Sequence, residues 1–125
     1  MIPVSFLTEF EISLLKAYNR ASHKSTPIYG KEADFVGAAQ YQNEFIQAFM
    51  SAFQEQHALL ERELRKGGND PVKTLSSISR DVESKLRTLL FQRRRLDTAV
   101  FQSFAKDMKK EVRSVFYGLP GVPNK

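Results

Sequence analysis

Leu64-Arg65-Lys66-Gly67-Gly68-Asn69-Asp70-Pro71-Val72-Lys73-Thr74-Leu75 lies at the middle of a 125-residue chain and reads as one helix ending and another beginning. Gly67 offers the left-handed backbone conformation that commonly closes a helix. Asp70 before Pro71 supplies an N-cap followed by a first-turn residue whose missing N–H costs nothing there. Two helices joined this tightly are expected to fold back antiparallel.

Upstream, Lys31 to Lys66 contains no proline and a single glycine, Gly37, so one helix of about ten turns is the simplest reading. Phe45, Phe49, Phe53, Leu60 and Leu64 mark its apolar face, and Ile46 and Met50 widen it. Downstream, Pro71 to Tyr117 holds neither glycine nor a further proline, and Leu75, Ile78, Val82, Leu86, Leu89, Leu96, Val100, Phe104, Val112 and Val115 keep a near-heptad rhythm. Unbroken, that helix is about 70 Å long at 1.5 Å per residue. A compact chain of this length has a radius of gyration of only about 14 Å, so two forms compete. Either the helix breaks near Arg95 to Thr98, where Asp97 can cap a new start and a four-helix bundle closes, or the molecule is a rod. The rod is the preferred expectation, and its uncovered Phe- and Leu-rich face calls for a homodimer.

Before this hairpin, Thr8 and Glu11 have the spacing of a capping box, and Leu7 and Ile12 sit where a hydrophobic staple belongs. A short helix is expected from there to about Ser22, with Phe10, Leu14, Ala17 or Tyr18, and Ala21 inward. Ser22 to Gly30, which includes Pro27, reads as a linker. The fold class is therefore all-α: a short N-terminal helix plus a long antiparallel hairpin. It forms one domain over residues 1–117, followed by a flexible tail over 118–125.

The absence of cysteine removes disulfides, thiolate metal sites and a cysteine nucleophile. No secretory leader or membrane span is read, and a cytoplasmic location is expected. His23 and His57 are the only histidines, too few for a multi-histidine metal site, and His57 with Glu61 reads as a pair across one turn. No phosphate-cradling glycine loop or nucleophile motif is present, so neither catalytic residues, metal ligands nor cofactor are assigned, and the chain is read as no enzyme.

Two features remain. Tyr41, Phe45, Phe49 and Phe53 recur every four residues. Such stripes usually pack inside their own fold, but they can also line a groove for an apolar helix of a protein partner, and they are the partner-binding candidates. The charge is also uneven. Residues 1–66 carry 7 Lys+Arg against 8 Asp+Glu, and residues 67–125 carry 12 against 6, giving net charges of −1 and +6. Arg93, Arg94 and Arg95 fan around the last helix, whereas Arg95, Lys106, Lys109 and Arg113 fall on one side, with Lys110 adjoining. This stripe is the candidate for an acidic partner or for sequence-independent nucleic-acid binding; the bland reading is a solvated surface. The leading expectation is a non-catalytic protein–protein interaction module, an adaptor, assembly subunit or small chaperone acting as a homodimer. Nucleic-acid binding is the alternative.

Overall fold

A computed structural model describes residues 4–29, 39–92 and 97–117. Among these every regular element is helical: α1 (Val4–Tyr29), α2 (Ala39–Gln54), α3 (His57–Lys66), α4 (Pro71–Gln92) and α5 (Thr98–Tyr117). The all-α reading stands, and the boundaries of its elements move.

The first helix starts at Val4 and places Thr8 inside it, so Thr8 is not a cap. Burial explains the shift, because Phe6 and Leu7 belong to the core and must be held in the helix that carries Phe10 and Leu14 inward. The Ser5 hydroxyl donates to Glu63 of α3. That bond, followed by one from Lys66 Nζ at 3.1 Å, holds Glu63 below the ordinary carboxylate range. At its other end α1 continues to Tyr29 through the expected linker. Pro27 lies in its last turn, where the missing N–H forfeits one helical bond.

The expected single helix from Lys31 is interrupted at Glu55 and Gln56; residues 31–38 lie outside the described residues. Gln56 sits at φ −90° and ψ 0°, and its N–H donates to the Phe53 carbonyl at 3.0 Å, a tightened i to i−3 turn between α2 and α3.

The Gly67–Pro71 turn has the expected chemistry, shifted by one residue at the glycine. Gly68, at φ +81°, is the left-handed residue. The Gly68 N–H donates to the Arg65 carbonyl and the Asn69 N–H to the Leu64 carbonyl, which together form a Schellman closure. Asp70 Oδ1 accepts from the Val72 and Lys73 N–H groups at 3.0 and 3.4 Å, the N-cap arrangement.

The last expected helix is two helices. Asp97 is non-helical, and its Oδ1 accepts from the Val100 N–H at 2.9 Å to cap α5. Interrupting the helix forfeits on the order of 0.3 kcal/mol per residue of helix propagation. Burying a side chain such as Phe101 returns about 1.5–3 kcal/mol, and Phe104, Met108 and Val112 are buried with it. The fold-back therefore wins over the rod. It also removes the premise on which a dimer was expected, since α5 covers apolar surface of its own chain.

Packing directions follow from the contacts. Phe10 meets Phe53 and Tyr18 meets Phe45, so α1 runs antiparallel to α2. Glu11 pairs with Lys109 and Tyr18 stacks on Phe101, so α1 is antiparallel to α5. Gln42 reaches the Leu90 carbonyl and His57 reaches Ser79, so α2 and α3 both run against α4. Buried side chains from all five helices form one hydrophobic cluster, threaded by a ladder of rings in which Phe45, Phe49 and Phe53 stack in succession at 6.4 and 6.3 Å.

Candidate functional site

Close packing joins α1 to α2, α1 to α5, α3 to α4 and α2 to α4. The pair α4 and α5 is different. The two helices run side by side, linked by an ion pair between Lys85 Nζ and Glu111 Oε2 at 3.3 Å, yet their backbones do not approach closely. The seam between them opens into two hollows. The larger, about 510 Å³, is lined by Leu89, Val100, Phe104 and Met108 together with polar side chains that include Lys85, Gln92, Ser103 and Asp107. The smaller, about 240 Å³, is lined by Ile78, Met108 and Val112, with Lys73, Asp81 and Glu111 around it.

The sequence builds this seam from ordinary parts. Leu75, Ile78, Val82, Leu86 and Leu90 point α4 into the core, which leaves Leu89 on the flank, half-buried. On α5, Phe101, Ala105 and Met108 are buried, and Val100 lies on the flank, half-buried. Residues of both flanks line the hollows of the seam. Met108 and Glu111 border both hollows. Methionine is unbranched and adaptable, a side chain suited to a surface that accepts more than one shape. The Lys85–Glu111 pair is half-exposed, so screening limits it to about 0–1 kcal/mol; it crosses the seam as a weak strap.

A third hollow, about 430 Å³, lies between α1 and the α2–α3 turn and is lined by Lys16, Asn19, Arg20, His23, Ala52 and Gln56. Five of its six lining residues carry polar side chains, and Arg20 is already paired with Glu55. His57 is half-buried elsewhere, with Nε2 3.5 Å from Ser79 Oγ and its ring edge-on to Phe53 at 5.2 Å. Desolvation lowers its pKa, and Glu61 opposes that shift. No group of three His, Cys, Asp or Glu able to hold a metal occurs among the described residues.

The expected partner-binding aromatics do not form a surface. Phe45, Phe49 and Phe53 are 1, 0 and 0% exposed, so the stripe is core, because α1 and α5 close over it. The side chain of Tyr41 lies outside the described residues, as do Arg93, Arg94 and Arg95. The basic stripe is divided. Lys106 and Lys110 are exposed, whereas Lys109 Nζ sits 2.7 Å from Glu11 Oε1 of α1 and Arg113 is half-buried. The flank that a helical projection of α5 alone shows as basic is partly turned against α1. Sequence reasoning missed the seam, although Asp97 carried the one signal that could have shown it. Phe91 at the close of α4 is 83% exposed.

No protein-family model matches this chain, and no curated protein or solved structure matches it either. Its function is therefore argued from the seam itself. No described helix is long and apolar enough to cross a membrane.

Proposed function

We propose that the chain is a four-helix, up-and-down bundle, with α2 and α3 as one kinked arm, that serves as a non-catalytic protein-interaction module receiving an apolar helix of a protein partner in the α4–α5 seam. The observation that carries this reading is the pair of hollows along one helix pair, each with apolar side chains in its lining, where α4 and α5 are less closely packed than α1 with α2 or α2 with α4. The residues lining the two hollows centre about six residues apart on α5, about 9 Å along the axis, and about twelve residues apart on α4, about 18 Å, a range that brackets positions i and i+7 of a docking helix. Anchoring residues in water-excluding pockets supply most of the energy of such contacts.

The test is a titration of the full-length, isotope-labelled chain with an 18-residue amphipathic peptide carrying leucines at i and i+7. Shift changes at Leu89, Val100 and Met108, with affinity at least tenfold weaker in the Leu89→Gln/Val100→Gln variant, support the reading. Both substituted positions are half-buried, so the core is spared. Saturable peptide binding that leaves the seam unshifted, or no binding at all, overturns it. Salt-released nucleic acid copurifying with the chain moves the assignment to the exposed lysines of α5.

A further inference from the structure

The third hollow, about 430 Å³ between α1 and the α2–α3 turn, shares no lining residue with the seam. Lys16, Asn19, Arg20 and His23 of α1 line it, with Ala52 and Gln56 opposite. We propose that this hollow is an oxyanion site, which takes a phosphate or sulfate group, free or as the end of a small ester, on Lys16, Arg20 and protonated His23. The assignment does not depend on the function proposed for the seam.

Spacing on α1 carries the inference. Positions 16, 20 and 23 are i, i+4 and i+7, so at about 100° per residue they fall within about 60° of one another, with Asn19 beside them. Like charges one turn apart weaken a helix, and a solvated face ordinarily interleaves acids that offset them. Here none is interleaved: from Ile12 to Tyr29, α1 has Lys16, Arg20 and Lys24 and no Asp or Glu. The helix dipole does not account for these cations either. Its pull fades beyond the last turn, and Lys16 and Arg20 stand thirteen and nine residues before the end at Tyr29.

The opposing arm leaves the charge in place. Along α2 and its turn the acids are Glu44 and Glu55, and neither belongs to the lining. Glu55 pairs with Arg20, but both side chains are 55% exposed, so solvent screens the pair and an oxyanion can replace the carboxylate. Lys16 has no ion pair among the described residues.

His23 completes the donor set. Its Nδ1 stands 3.1 Å from the Asn19 carbonyl oxygen; a carbonyl only accepts, so Nδ1 carries the proton. The neutral ring therefore has its lone pair at Nε2, and a second proton there makes Nε2–H a charged donor. The side-chain amides of Asn19 and Gln56 add neutral N–H donors for the remaining oxygens of the anion.

Sulfate is the discriminating probe. It keeps its charge of −2 between pH 5 and 8, so any pH dependence of its binding belongs to the protein. Titrated into the isotope-labelled full-length chain at constant ionic strength set with chloride, sulfate is expected to shift Lys16, Asn19, Arg20, His23 and Gln56 saturably, and at least threefold more tightly at pH 5.5 than at pH 8. His23→Gln should remove the pH difference, and Lys16→Gln should weaken binding at least threefold at both pH values. Both residues are exposed, so the core is spared. Inorganic phosphate and ethyl phosphate separate the sources: binding of the ester at least as tight as that of the ion assigns the phosphoryl group of a small molecule, and weaker binding assigns the free ion. Linear shifts of similar size at Lys16 and at the exposed Lys106 and Lys110 of α5 overturn the site. Saturable binding of equal affinity at both pH values overturns the role of His23. Neither result bears on peptide binding at the seam.

Discussion

The α1–α2 face and the α4–α5 seam are built from the same kind of sequence, apolar residues at helical spacing, and they end up as opposites. Between α1 and α2, large rings alternate across the interface. Phe10 meets Phe53 edge-on at 6.0 Å and Tyr18 leans on Phe45 at 6.2 Å, so each side fills the gaps of the other. Between α4 and α5 the residues lining the seam are mixed, ten of the seventeen being polar or charged, while both helices direct their strongest apolar residues inward. Periodicity tells which side of a helix is apolar. Whether two apolar flanks meet depends on side-chain volume and on where the third helix pulls each of them.

The comparison is most sharply broken by truncation. Phe49→Ala in the closed region should cost about 3–5 kcal/mol, because its fully buried ring stacks on Phe45 and Phe53 and also meets Phe101 at 5.5 Å. Leu89→Ala at the seam should cost about 1 kcal/mol or less, because surface left partly in water loses little more on truncation. Urea unfolding of the two variants measures the contrast, and equal costs would mean that the seam is closed.

Next in size is the cap that creates the seam. Asp97→Ala removes the acceptor of the Val100 N–H and should cost about 0.5–2 kcal/mol. The loss should appear as faster amide exchange in the first turn of α5 while α1 and α2 remain protected.

A pH profile separates the regions in another way. Burial holds the pKa of His57 below its ordinary value of 6.5, so the unfolded chain takes up a proton before the folded one does. The stability linked to His57 is therefore complete above pH 6.5 and falls as pH drops from there toward the folded value, below which it levels off. His57→Gln should flatten that part of the profile in denaturation measurements between pH 5 and 8. Lys85→Ala, which removes the strap, should have the smallest effect, about 0–1 kcal/mol, and should leave peptide affinity at the seam unchanged or raised.

Legibility in the sequence followed the range of the forces. Asp70 and Pro71 were readable because an N-cap is settled within three residues, and the closing glycine was misplaced only from Gly67 to Gly68. Thr8 misled because a local capping pattern competes with burial of Phe6 and Leu7, which only the tertiary structure reveals. Asp97 is legible as a possible cap, but the near-heptad rhythm around it outweighs that signal in the sequence; the energy that decides the break comes from Phe101 meeting Tyr18 on a helix more than eighty residues away in the chain. The stripe Phe45, Phe49 and Phe53 was legible as a stripe, and its burial was not, since that depends on α1 and α5. The projection that joined Lys109 and Arg113 to the basic face failed for the same reason: one helix alone does not show that Glu11 stands opposite.

Everything proposed for the seam depends on α5 lying back along α4, so the most direct test is a distance. Spin labels at Ser76→Cys and Lys110→Cys, both exposed and both adjoining residues of the smaller hollow, would be about 50 Å apart on one continuous helix at 1.5 Å per residue. With α5 folded back along α4, the measured distance should fall below about 30 Å once the label tethers are included. A single distribution in that short range is the expected result, and one centred near 50 Å would contradict the seam and the function built on it.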